Sequence, residues 1–455
     1  MRIDYNLELS IVLIKFEKFW EISGEKLERL INNYDIKQGA PVFTVQGQYR
    51  PFRWTMWTIG FLFGSALLQF EATQDKQFLD YAITSVRNYM PNYLTHMGIH
   101  DHGFNIISTY GNLLRLIKKQ LVDSYIREES ELAIKVSGAV QAARWTRLNS
   151  NKGYIYSFKG PHSLFIDTMR TLRILALSHY LGQILLEEGD HEVLLLERLI
   201  QHGACTARYN VYYGEGRDVY DIWGRVAQES VFNVKNGSYC GPGVHQGYSP
   251  FSVWFRGLAW GLLGFAEELE FLDHLSADEI EACHANKNDV LATFLRAARA
   301  MADFYIVNTP MDGIPYWDSA APGLRFIPDF LERPADPFNP YEPVDSSAAI
   351  IAAQGLLRLG NYLMRKGDPQ GERYWHAGLT VLYRLLEEPY LSLDFNHQGL
   401  ILHSVYNRPY GWDYIPLNAK IPYGESSMWG DYHMRELVLY CSELKHSRYL
   451  AFFAI

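Results

Sequence analysis

Along most of the chain, apolar residues return every three or four positions, the period of a helix with one buried face. Residues 64–70, 78–89, 166–186, 257–272, 289–306, 346–364 and 374–386 carry this pattern and are expected to be helical. Alternating stretches that would mark strands are few. A second regularity lies on the first. Amphipathic segments such as Lys76-Gln77-Phe78-Leu79-Asp80-Tyr81-Ala82 and Gly371-Glu372-Arg373-Tyr374-Trp375-His376-Ala377 each follow a more apolar helix rich in small residues. The pairing recurs every roughly 50 to 80 residues, which suits repeated helical hairpins closed into a ring or stacked as a solenoid. In such a repeat the more apolar helix lies inside and the more polar one outside, because a helix apolar on most faces must be buried.

Between the hairpins run aromatic, Gly- and Pro-rich loops at residues 97–104, 153–161, 214–250, 312–343 and 407–429. Loops this long in a compact domain usually carry function. No linker or shift of composition marks a second domain. Residues 1–455 are therefore expected to form a single all-α domain of helical hairpins, a ring or a solenoid, in which residues 1–45 are a helical lead-in.

Composition narrows the class. With 48% hydrophobic and 20% charged residues, the chain can bury a large core and is neither disordered nor fibrous. A net charge of -9 gives no basic footprint for nucleic acid or for an anionic membrane, so an anionic ligand would need locally placed cations. Cys205, Cys240, Cys283 and Cys441 are far apart and form no CxxC pair, which signals neither a zinc site nor a disulfide framework. The apolar run at residues 11–14 is shorter than a signal-peptide core, and no run reaches the length of a membrane span. A cytoplasmic protein, monomer or homodimer, is expected. The aromatic share of 15% is high, and beyond core packing it suits a cleft in which flat rings meet the CH faces of sugars.

Two carboxylates stand out. Asp101 lies in Gly98-Ile99-His100-Asp101-His102-Gly103-Phe104, at the entry to an apolar helix, and Asp167 interrupts the apolar run in Phe165-Ile166-Asp167-Thr168-Met169. Taken alone, each also fits a helix cap. They are separated by about one hairpin of the repeat, so equivalent helix starts could bring them face to face. Two carboxyls held close in a partly apolar pocket cannot both ionise easily, and one becomes a general acid near neutral pH. A third cluster joins His245-Gln246-Gly247-Tyr248 to Trp254-Phe255-Arg256-Gly257-Leu258-Ala259-Trp260. It fits ring platforms beside a cation, or packing aromatics with a surface arginine. Trp54 and Trp57 fit either a ring wall or the core, and Asp345 fits a helix N-cap. His100, Asp101 and His102 are too close in sequence for a usual zinc set, and no HExxH occurs, so no metal or cofactor is expected.

At these residues the sequence resembles the unsaturated glucuronyl hydrolases, glycoside hydrolase family 88. The matching pieces run in family order: Trp57-Thr58-Ile59-Gly60-Phe61, His100-Asp101-His102-Gly103-Phe104, Ile166-Asp167-Thr168-Met169, His245-Gln246-Gly247-Tyr248, Trp254 to Trp260, Pro315-Tyr316-Trp317-Asp318, Asp345-Ser346-Ser347-Ala348-Ala349 and Trp429-Gly430-Asp431-Tyr432. The resemblance implies an (α/α)6 toroid of six helical hairpins. It also implies a substrate with a 4,5-unsaturated uronic acid at its non-reducing end, the product of a polysaccharide lyase. The C4=C5 bond is a vinyl ether, so an acid protonates C4, water adds at C5, and the hemiketal opens and expels the remaining chain, unlike ordinary glycoside hydrolysis. By position, Asp167 matches the general acid/base and Asp101 the aspartate that supports it. Trp57, His100, His245, Gln246, Trp254, Arg256 and Trp260 match substrate-pocket positions.

Some features depart from the family pattern. The stretch around residues 228–233 lacks a histidine that many members carry, Phe158 stands where many have Trp, and the segment 207–243 is extended. These departures bear on the leaving sugar, with Phe158 expected at the substrate pocket. Two other readings remain open: the sister family of unsaturated rhamnogalacturonyl hydrolases, and a carbohydrate-binding relative without activity.

Overall fold

A computed structural model describes residues 1–52, 54–149 and 152–445; the last ten residues of the expected domain, 446–455, lie outside the described residues. Six helical segments form an inner ring: α3 (Ile59–Thr73), α5 (His102–Ile106) continuing through a π-helical turn into α6 (Asn112–Lys118), α8 (Thr168–Thr171) with α9 (Arg173–Tyr180), α11 (Phe255–His274), α14 (Ser346–Arg365) and α16 (Met428–Lys445). Outside them lie α2 (Phe16–Asn33, after the short α1, Leu9–Leu13), α4 (Lys76–Tyr89), α7 (Arg127–Ala143), α10 (Leu195–Tyr209), α13 (Lys287–Asn308, after the short α12, Ala277–Glu281) and α15 (Gln370–Leu385). This is the expected all-α toroid of six hairpins.

The two rings differ as their sequences dictate. The inner α3 is buried along nearly its whole length, whereas α4 buries only Phe78, Ala82, Ser85 and Val86, one stripe at helical spacing. Asp75 caps α4 by accepting from the Gln77 N–H. The ring closes where α16 packs beside α3, and α2 seals the seam. Arg435 Nε donates to Ser23 Oγ at 2.8 Å, and Ser23 Oγ donates to Gln69 Oε1 at 2.6 Å.

Inner helices meet at glycines. A Cβ at Gly60 or Gly64 of α3 would sit 2.5 Å from the Asn105 or Ser108 carbonyl oxygen. Gly103 of α5 presses on α8, where a Cβ would lie 2.1 Å from the Thr171 carbonyl oxygen, and Gly264 of α11 abuts Met169 from the other side. Contact this close between backbones is open only to residues without a side chain.

The structure corrects several expectations. Residues 166–186 are not one helix: the run splits at Leu172, ends at Tyr180, and turns through Gly182 (φ +77) into the strand Ile184–Leu186. The helices α2, α7, α10 and α16 lie where no periodic segment was singled out. In α7 the buried face is Ser130, Ala133, Ile134, Ser137, Gly138 and Gln141, too small and polar to show an apolar stripe. The long loop 214–250 holds a hairpin, Glu229–Asn233 with Ser238–Gly243, to which Ser163–Phe165 adds antiparallel with Phe165 opposite Glu229. The barrel axis is also charged rather than apolar. Arg170 pairs with Glu267 and, at 2.6 Å, with Glu436; Arg358 reaches Glu270 at 2.7 Å and Arg115 reaches Glu71 at 2.7 Å. Buried charges persist only when paired in this way. Among the described residues no helix is long and apolar enough to cross a membrane.

Replacing Gly103 by alanine should force α5 from α8 and destabilise the fold by about 1–3 kcal/mol, as overpacking of a tight core does. A denaturant melt of Gly103→Ala with an unchanged midpoint would show that the backbones are not in contact there.

Candidate functional site

The N-terminal ends of inner segments open at one end of the toroid, and the two aspartates sit at two of these starts. Asp101 precedes α5 and Asp167 precedes α8, yet neither carboxyl caps its helix. Both line a cavity of about 480 Å³ instead. The helix-cap alternative therefore falls away. The Gly103 contact brings the two starts together, and the Thr171 hydroxyl donates to the His100 carbonyl at 3.0 Å, tying the Asp101 loop to α8.

His100 stands between the carboxyls. Its Nε2 lies 3.7 Å from Asp101 Oδ1 and 3.9 Å from Asp167 Oδ1. Burial, reinforced by Arg144, depresses the imidazole pKa to about 3, so the ring is neutral and the contacts are not ion pairs. Among the described residues, both His100 ring nitrogens and Asp167 Oδ1 lack a hydrogen-bond partner. Facing the cavity, these atoms are open to a ligand's hydrogen bonds.

Burial pushes Asp101 up to about 8, and the neighbouring Asp167 charge adds to the rise. Burial raises Asp167 to about 7, held back by backbone N–H groups at Asp167 and Thr168 and by Arg256. Both carboxyls are thus raised toward neutrality, where the pair can hold one proton and exchange another. Arg144 donates to the carbonyls of Met97, Tyr156 at 3.2 Å and Ser157 at 3.0 Å, clamping the loops on either side of the pair.

Every residue expected at the site lines this one cavity: Trp57, His100, Asp101, Phe158, Asp167, His245, Gln246, Trp254, Arg256 and Trp260. The ring-wall reading holds for Trp54, whose ring meets that of Phe158 at 4.6 Å, and for Trp57, which stacks on Trp429 at 5.2 Å. Phe158 also faces His100 and His245, at 6.2 and 5.2 Å. Three lining residues, Phe104, Tyr406 and Trp412, were not singled out. Phe104 ends the His-Asp-His-Gly-Phe motif. For the others the only signal was the aromatic density around residues 407–429, which does not say which rings turn inward.

Arg256 differs from either reading of it. It is neither a surface arginine nor an unengaged cation: it is buried, pairs with Asp345 at 2.8 Å, and donates to the carbonyls of Val405 and, at 2.6 Å, Tyr406. Asp345 is the N-cap of α14, as expected, accepting from Ser347 N–H at 3.1 Å, and it also neutralises Arg256. In the stretch 228–233, Gln228 takes up the loop: its Oε1 accepts from the backbone N–H groups of His245 and Gln246, both at 2.7 Å. Gln246 is further anchored by donating to the Tyr406 carbonyl at 3.2 Å. Among the described residues, no group of three or more His, Cys, Asp or Glu side chains is placed to hold a metal ion.

No family model matches the chain. Among curated proteins it is similar to the unsaturated glucuronyl hydrolase of Bacillus sp. (strain GL1), 26% identical over 394 residues, which cover 85% of this chain and 86% of that protein. It is also similar to the unsaturated chondroitin disaccharide hydrolase of Streptococcus pneumoniae (strain ATCC BAA-255 / R6), 22% identical over 444 residues, with 95% and 93% covered. Among solved structures, an unsaturated glucuronyl hydrolase specific for heparin superposes with a TM-score of 0.71 at 20% identity, covering 95% of this chain and 98% of that one. The Bacillus sp. GL1 enzyme gives 0.69 at 23% identity, with 94% and 95% covered.

The raised Asp101 pKa carries a stability consequence of definite sign. The folded state holds this proton more tightly than the unfolded chain, whose carboxyl titrates near 3.8. Stability is therefore undiminished below that range and falls as pH rises toward 8. Asp101→Asn removes the cost, so its melting temperature should match wild type near pH 4 and exceed it near pH 9. A difference independent of pH would contradict the raised pKa.

Proposed function

Starting from the chain's membership of the unsaturated glucuronyl hydrolase family of glycoside hydrolases, we propose that it removes the 4,5-unsaturated uronic acid from the non-reducing end of oligosaccharides. The observation that carries this reading is the meeting of Asp101 and Asp167 on the neutral His100 within an aromatic cavity. A vinyl ether needs one group that can give a proton and then take one back. An acid with its pKa near 7 does both at neutral pH.

Protonated Asp167 delivers its proton to C4, and the positive charge that develops at C5 is shared with the ring oxygen. Water adds to C5 and returns a proton to the Asp167 carboxylate. The resulting hemiketal opens to a C5 ketone; the hemiacetal left at C1 then expels the leaving sugar as an alcohol and becomes an aldehyde. No covalent bond to the enzyme forms. Asp101, protonated beside Asp167, adds no second negative charge to the pocket, so the carboxylate that Asp167 becomes on giving up its proton meets a neutral neighbour. The rings of Trp57, Trp254 and Trp260 offer flat faces to the sugar. Gln246 and His245, fixed through Gln228, present polar edges.

Incubation with unsaturated glycosaminoglycan and pectin disaccharides, followed by loss of the double-bond absorbance, tests the reading. Wild type should consume the glycosaminoglycan type, and Asp167→Asn should lower kcat by about 10²–10⁴. The rate should fall as pH rises through about 7, where Asp167 loses the proton it donates. Preference for the pectin disaccharide would favour the sister family. Binding without turnover would favour an inactive relative, and full activity in Asp167→Asn would remove Asp167 from the chemistry.

A further inference from the structure

The extended segment 207–243 has no part in the catalytic pair, yet it builds the wall of a second, larger opening. This groove, about 1,510 Å³, lies on the outside of the toroid between α10 and α13 and shares no lining residue with the catalytic cavity. Its charge runs against the rest of the molecule. Lys152, Arg208, Arg217 and Arg296 line it with Glu215 as the one carboxylate, in a chain whose net charge is -9.

Among the described residues, three of the four cations are not taken up in an ion pair. Arg296 pairs with Glu215 across the groove. Arg217 donates to the carbonyls of Arg208 and Tyr209, both at 2.7 Å, and of Val211 at 2.9 Å; carbonyls orient the guanidinium without cancelling its charge. Asp221, behind this loop, is taken up by the backbone N–H groups of Gly214, Glu215 and Arg217. Lys152 and Arg208 are exposed, and among the described residues neither has a carboxylate partner. Beside them Tyr209 and Tyr239, half-buried against Phe232, stack on each other at 5.3 Å, interplanar angle 28°, and line the groove with aromatic surface. Rings flanked by cations match a chain of sugars bearing carboxylates or sulfates, whose CH faces lie on tyrosine and whose anions reach lysine and arginine.

We propose that this groove is a second carbohydrate site that holds an anionic uronate-containing oligosaccharide away from the catalytic cavity. The choice of a uronate chain rests on the substrate reading above. The cationic character of the groove does not. The strand Ser238–Gly243 carries Tyr239 in the groove and runs directly on to His245 and Gln246 of the cavity, so the two sites share one backbone connection.

The probe is a chondroitin sulfate octasaccharide with a saturated non-reducing end, which offers no double bond to the catalytic aspartates. Binding to the full chain is measured by calorimetry at low and physiological salt, alongside turnover of an unsaturated disaccharide. Wild type should bind, more weakly at higher salt. Lys152→Glu with Arg208→Glu should weaken binding at least about tenfold. Lys152→Gln with Arg208→Gln should have a smaller effect in the same direction, and disaccharide turnover should be unchanged in both. No binding by wild type, equal binding by the charge-reversed variant, or tighter binding of a single-stranded DNA of equal charge would overturn the proposal, as would loss of disaccharide turnover in the variants. If no unsaturated disaccharide is consumed while octasaccharide binding is lost with the cations, the substrate reading fails and the groove stands.

Discussion

The arrangement at the open end depends on one contact, the backbone of α5 against that of α8 at Gly103 and Thr171. Each helix start carries one aspartate, and any side chain at Gly103 would wedge them apart. Because the helices touch, two carboxyls come within reach of the same imidazole nitrogen in a place that water barely enters. Their raised pKa values follow from that burial rather than from a dedicated partner. The same glycine-to-backbone packing recurs at Gly60, Gly64 and Gly264, so the inner ring as a whole is drawn tight around the pair.

Around this contact the protein divides its charges by purpose. The arginines along the axis and Arg256 at the cavity wall are paired with carboxylates and hold helices in place. Among the described residues, the two aspartates that face the cavity have no lysine or arginine at hydrogen-bonding distance, and burial holds both well above the usual carboxylate range. An aromatic cavity with an acid pair titrating near neutrality suits protonation of an electron-rich double bond. A fixed carboxylate nucleophile is not needed there.

Much of this was legible in the sequence. The hairpin repeat predicted a ring or a solenoid, the family resemblance the closed six-hairpin toroid, and the motifs around Asp101, Asp167, His245 and Trp254, with Trp57 and Phe158, named ten side chains that meet in one cavity. What escaped detection did so for physical reasons. The buried face of α7 is mostly Ser, Ala and Gly with Gln141 and the lone large apolar residue Ile134, which a search for apolar periodicity passes over. The break in residues 166–186 comes from Gly182 and from Ile166, whose N–H donates to the Gln228 carbonyl. Arg256 looked available to a ligand because nothing local in the sequence names Asp345, 89 positions away, as its partner. Tyr406 and Trp412 reach the cavity through loop geometry that no period encodes.

The central claim is that the paired aspartates act on the C4=C5 bond and that cleavage of the glycosidic link follows from it. An unsaturated disaccharide analogue with sulfur in place of the glycosidic oxygen separates the two events, since protonation at C4 does not involve the linking atom. The account predicts that wild type removes the double-bond absorbance of the sulfur analogue at a rate comparable to the natural linkage, and that Asp167→Asn does not. An analogue left intact, while the oxygen-linked disaccharide is cleaved with its double bond retained in the product, would contradict it.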